Sequence, residues 1–103
     1  MERRSRKRVE AGFQVEIQGA DAQGVSFEEQ VCAVNLSESG LALRTRRDLP
    51  HSATLTVTIA GLGAARPDGR RADFRAQAMV AYVLSDGDMN RVGLRFIGAA
   101  LDL

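Results

Sequence analysis

At 103 residues the chain has the size of one domain and leaves no room for a second core. Its apolar fraction of 45% supports a packed interior without staples, and the single cysteine, Cys32, excludes an intrachain disulfide. The formal net charge of +1 hides an asymmetry: the first eight residues hold five of the 14 basic side chains and one of the 13 acidic ones, leaving nine basic against twelve acidic for the rest. A basic arm on a mildly acidic body points to an anionic partner, whether a phosphate ligand, a nucleic acid or a membrane surface. No apolar stretch follows the charged N-terminus, and no uncharged run is long enough to span a bilayer. A soluble, cytoplasmic protein without membrane insertion is therefore expected.

Period-two alternation dominates the body of the chain. Phe13, Val15 and Ile17 alternate with polar residues as in a half-buried strand, which the stretch from Gly19 to Gly24 ends. Cys32, Val34 and Leu36 form a second apolar set. Gly40 punctuates, and Leu41 and Leu43 start a third strand. Arg44, Arg46 and Arg47 follow it and read as a solvated hairpin end. Leu55, Val57 and Ile59 alternate with threonines, a pattern that suits a pleated sheet. From Gly61 to Ala72 the composition shifts to Gly, Pro, Asp and Arg, which reads as a loop. Phe74 to Leu84 is a long strand-like run, Ser85-Asp86-Gly87-Asp88 is a hairpin signal, and Asn90 to Ile97 closes the series with Val92, Leu94 and Phe96 on one face. The expected fold is all-β, a six-stranded antiparallel barrel or sandwich spanning residues 11–97. Residues 1–9 precede it as a flexible basic arm, and Gly98 to Leu103 form little or no C-terminal helix.

Nothing in the chain assembles a catalytic centre. His51 is the only histidine and follows Pro50 at a strand entrance. Cys32 has no second thiol with which to hold a metal, and as part of an alternating strand it reads as a small buried hydrophobe. Glu28 and Glu29 are adjacent, so on a strand they point to opposite faces and make a poor acid/base pair. No catalytic residue, metal site or cofactor is assigned.

Two short motifs remain. Arg4-Ser5-Arg6-Lys7-Arg8 places two arginines four apart just before the first strand, and Asn35-Leu36-Ser37-Glu38-Ser39-Gly40 ends the second. Taken separately they are a basic tail and a turn in which Gly40 would supply a positive φ. In this order on a short β-rich chain they resemble the PilZ family, whose signature is Arg-x-x-x-Arg followed by Asp/Asn-x-Ser-x-x-Gly. Arg4 and Arg8 match the first element; Asn35, Ser37 and Gly40 match the second. Val92-Gly93-Leu94-Arg95-Phe96 resembles the last barrel strand of the family.

The resemblance implies a PilZ-type barrel that binds cyclic di-GMP through Arg4, Arg8, Asn35, Ser37 and Gly40. An arginine fork addresses guanine O6 and N7, asparagine presents both a donor and an acceptor, and glycine lets backbone approach a flat ligand. In the family an arginine just before the first motif, here Arg3, goes with an intercalated ligand dimer. Tyr82 falls where some relatives place an aromatic near the ligand; otherwise it is a half-buried barrel residue. The expected function is that of an adaptor whose basic arm orders on binding and presents a surface to a downstream protein. The competing reading is a PilZ-type interaction module that needs no ligand. Nucleic acid is not expected, because no aromatic residue interleaves the basic run to provide stacking platforms.

Overall fold

Every described strand has a neighbour on both sides. The computed structural model describes residues 8–102, and the side chains of residues 13–102. Its strands are β1 (Arg8–Ala20), β2 (Ser26–Ser37), β3 (Gly40–Thr45), β4 (Thr54–Ile59), β5 (Phe74–Asp86) and β6 (Met89–Ile97). They pair antiparallel in the order β1-β2-β3-β6-β5-β4 and close into a barrel, the PilZ-type all-β architecture expected from the sequence. The closing seam is short: Glu16, Ile17 and Gln18 of β1 pair with Thr58, Val57 and Thr56 of β4. Two-residue loops join β2 to β3 and β5 to β6. Gly87 opens the second with φ 71°, the left-handed conformation that a hairpin with glycine first requires.

The alternating apolar residues meet inside. Val15, Ile17, Leu43, Leu55, Val57, Val80 and Val92 are all at most 1% exposed, and Phe74 and Phe96 pack edge to face with ring centroids 4.9 Å apart. No helix occurs in residues 98–102. This segment instead folds back in irregular form: the Leu101 amide donates to the Glu38 carbonyl at 2.9 Å, and its side chain, 3% exposed, plugs the core.

Two expectations from the sequence need correction. Cys32 is exposed, because the inward residues on either side of it on β2 are Val31 and Ala33, and a β-bulge between Ala33 and Asn35 shifts the phase so that Leu36 turns inward. Both parities of this strand carry apolar residues, so alternation alone chose the wrong one for Cys32. Nor is Arg47 simply solvated. It pairs with Glu29, lies 3.9 Å from Asp21, and stacks 4.3 Å over the Phe27 ring, tying the β1–β2 hairpin to the end of β3. Arg44 and Arg46 form only exposed pairs, with Asp86 and Asp88.

Replacing Leu101 by alanine leaves a cavity at the barrel end and should lower the unfolding free energy by about 2–4 kcal/mol in urea titration. An unchanged midpoint would mean that the C-terminal segment contributes nothing to the core.

Candidate functional site

The outer surface of four strands forms one open groove of about 260 Å³. Asn35 and Ser37 reach it from β2, Gly40 and Ala42 from β3, Arg91, Gly93 and Arg95 from β6, and Tyr82 from β5. The registers explain the assembly. Asn35 pairs with Ala42 and Ser37 with Gly40; Ala42 in turn pairs with Gly93 and Gly40 with Arg95; and Gly93 pairs with Tyr82. One continuous row of small residues thus forms a floor, with hydrogen-bonding groups on one side and an aromatic on the other.

Two β-bulges give the flanking residues their outward direction. On β2, Val31 and Ala33 face the core, so strict alternation would turn Asn35 and Ser37 inward as well; the bulge at Val34 reverses them. On β5, Phe74, Ala76, Ala78 and Val80 face inward and Tyr82 would follow. The extra residue Ala81 turns Tyr82 out and leaves Val83 against the core. Tyr82 is 38% exposed and lies across Gly93, where the ring occupies the space that a β-carbon would need.

Gly40 differs from expectation in its physical reason. Its φ is not positive; a β-carbon at this position would run into the Leu94 backbone carbonyl of β6, so glycine permits close strand approach. The turn ahead of it is braced from behind, because the Phe96 amide donates to the Ser39 carbonyl and the Leu101 amide to that of Glu38, both at 2.9 Å. The Ser37 hydroxyl donates to the Gly40 carbonyl at 3.3 Å and accepts from the Ser39 hydroxyl at 3.5 Å, which leaves it one lone pair for an incoming donor. Asn35 makes no side-chain hydrogen bond to another described residue and is half-buried.

Of the arginines expected at the site, Arg8 opens β1 and pairs with Ser37, while Glu10 pairs with Asn35. Arg3 and Arg4 lie outside the described residues, as does most of the arm expected to order on binding. The sequence reading missed Arg91 and Arg95. Their signal was present, since an inward Val92, Leu94 and Phe96 sends Arg91, Gly93 and Arg95 outward. What alternation does not reveal is that β6 lies beside β3. Arg91 is half-buried and Arg95 exposed; among the described side chains neither forms an ion pair, and none of those lining the groove is acidic. The groove therefore combines two cations, amide and hydroxyl groups, a flat floor and a π face, a set suited to a planar anionic ligand.

Comparison with known proteins adds the lineage. The family model described as PilZ domain matches residues 2–102. Among solved structures, the Bacillus subtilis inhibitor of motility MotI/DgrA superposes with a TM-score of 0.70 at 19% identity, covering 97% of this chain and 45% of that one. MrkH of K. pneumonia, solved as a complex with c-di-GMP, gives 0.60 at 16% identity, covering 94% of this chain and 45% of its own. The PilZ domain of Escherichia coli YcgR, solved with c-di-GMP, gives 0.58 at 16% identity, covering 94% and 79%. The chain thus spans under half the length of the first two. No curated protein matches the sequence.

The two floor glycines should respond differently to alanine. Gly40→Ala forces β3 away from β6 and should cost about 1–3 kcal/mol of stability by denaturant titration. Gly93→Ala meets a side chain rather than backbone, so its main effect should be a changed Tyr82 fluorescence emission. Equal stability losses would refute this distinction.

Proposed function

Given that the chain belongs to the PilZ domain family, we propose that it is a receptor for cyclic di-GMP and that the ligand lies in the groove just described. The observation that carries the reading is the register of β1 on β2: Arg8 pairs with Ser37, so the end of the Arg-x-x-x-Arg motif lies beside the Asn-x-Ser-x-x-Gly motif. Two elements far apart in sequence become a single locus at the groove rim. The c-di-GMP in the MrkH and YcgR structures supports the choice of ligand.

The chemistry assigns roles. Arg4 and Arg8 read guanine O6 and N7 or pair with phosphate, each good bidentate contact being worth about 1–3 kcal/mol of discrimination. Asn35 addresses a base edge, Ser37 offers a hydroxyl lone pair, and the floor at Gly40 and Gly93 admits a flat ring beside Tyr82. The ligand binds as an intercalated dimer, with Arg3 next to Arg4 as the added cation. A stacked pair carries four negative charges. Arg3, Arg4 and Arg8 supply three positive charges, and Arg91 and Arg95 on β6 bring the local total to five, enough to balance the pair. The protein is a binding module rather than an enzyme, and the liganded arm and groove present the surface that a downstream protein reads.

Calorimetric titration tests the reading. Wild type should bind cyclic di-GMP well and cyclic di-AMP poorly, because adenine replaces the O6 acceptor with an amino donor. Arg4→Ala and Arg8→Ala should each lose most of the affinity while circular dichroism stays unchanged. Comparable affinity for both dinucleotides would reduce the site to plain electrostatics; no binding at all would favour the ligand-independent interaction module.

The molar ratio at saturation tests the dimer separately. It should be near two ligands per chain in wild type and fall towards one in Arg3→Leu. A ratio of one in wild type, or of two in the variant, would remove Arg3 from the mechanism.

A further inference from the structure

The turn that leads into β4 makes a contact that neither the barrel core nor the groove's own residues account for. His51 Nε2 lies 2.9 Å from the Ala81 carbonyl oxygen, and Ser52 Oγ lies 3.1 Å from His51 Nδ1. A carbonyl only accepts, so Nε2 carries the proton and donates; in the neutral ring Nδ1 then accepts from the Ser52 hydroxyl. The backbone adds two bonds on the same side, from the Ser52 amide to the Val80 carbonyl at 2.9 Å and from the Val80 amide to the Ala53 carbonyl at 2.8 Å. Ser52 has φ 71°, the one positive value at a non-glycine residue among those described. Such a backbone persists where surrounding bonds over-determine it; here the Ala53 amide closes the turn on the Pro50 carbonyl at 3.1 Å, and the bonds leaving the turn run to residues 80 and 81.

Ala81 is the extra residue of the β5 bulge and has no partner in the register with β6. It is also the residue that turns Tyr82 outward over Gly93. A bulge interrupts the ladder and leaves backbone groups to find other partners, and at this one a side chain from another strand entrance supplies the donor.

We propose that His51 is a positioning residue for the groove: by holding the Ala81 carbonyl it keeps Tyr82 facing the ligand. His51 does not line the groove and acts only through the bulge. In its consequence for the ligand the inference rests on the cyclic di-GMP reading above; in its geometry it does not. Because His51 is exposed, its bond competes with water, and the effect is a tuning of affinity rather than its loss.

Tyr82 is the only tyrosine and the chain has no tryptophan, so intrinsic emission reports on this side chain alone. In ligand-free protein, His51→Ala should lower the tyrosine anisotropy and raise quenching by acrylamide. His51→Gln, whose amide nitrogen reaches about as far as Nε2, should restore both; His51→Asn, which is shorter, should not. Affinity for cyclic di-GMP should fall about three- to tenfold in His51→Ala, recover in His51→Gln, and be insensitive to His51→Ala in a Tyr82→Ala background. Unchanged emission across the series overturns the proposal. So does a loss of affinity that persists without Tyr82, or a rescue by asparagine equal to that by glutamine. If wild type fails to bind cyclic di-GMP, the functional reading falls while the emission series still decides the role of His51.

Discussion

On a closed barrel each side chain has two destinations, the core or the outer surface, and the pleat assigns them alternately. This constraint governs the whole molecule. A strand that must bury apolar residues along its full length and also present polar residues at one end cannot do both with one parity. β2 and β5 meet that conflict, and each resolves it with one extra residue. In β2 the bulge keeps Leu36 in the core while turning Asn35 and Ser37 to the groove. In β5 it keeps Val83 against the core while releasing Tyr82. Core and site are thus produced by the same two interruptions, and neither bulge can be removed without exchanging buried leucine or valine for buried asparagine or tyrosine.

The sequence made the strands readable because most carry a single apolar parity. Val92, Leu94 and Phe96, and Leu55, Val57 and Ile59, leave no choice of face. Alternation fails at β2, where Val31 and Ala33 on one parity and Val34 and Leu36 on the other are all acceptable in a core; the change of phase is invisible, and the parity of Leu36 carries Cys32 inside. The motif residues were legible as residues, whereas their neighbours were not. Arg91 and Arg95 join the groove because β6 pairs with β3, a contact between strands far apart in sequence that local alternation does not encode. Arg47 was misread for the same reason, since Phe27, Asp21 and Glu29 reach it from the β1–β2 hairpin.

The segment from Ser37 to Gly40 is constrained independently of any ligand. Gly40 is required by the Leu94 carbonyl, the Ser37 hydroxyl is engaged by the Gly40 carbonyl, and Glu38 and Ser39 are held through their carbonyls by Leu101 and Phe96. Half of the motif therefore serves to set the β2–β3 turn against β6 and the C-terminal segment. Asn35 differs: it has no such employment among the described residues, so its side chain remains available to the groove. The motif combines a scaffold with one uncommitted polar group, and loss of function by substitution at Gly40 or Ser37 would not by itself distinguish ligand contact from a displaced turn.

Charge placement follows the same division. Where arginines serve the barrel they have partners: Arg47 with Glu29 and Asp21, Arg44 with Asp86, and Arg71 through donors to the Gly63, Leu62 and Asp102 carbonyls. Arg91 and Arg95 have no described ion-pair partner, and no described side chain lining their groove is acidic. Arg91 and Arg95 stand four residues apart on β6, roughly 13 Å along a strand, so they act as two separate cations on one face. At that spacing their mutual repulsion is largely screened at physiological salt, where the Debye length is roughly 8 Å, and each cation acts mainly on what lies beside it.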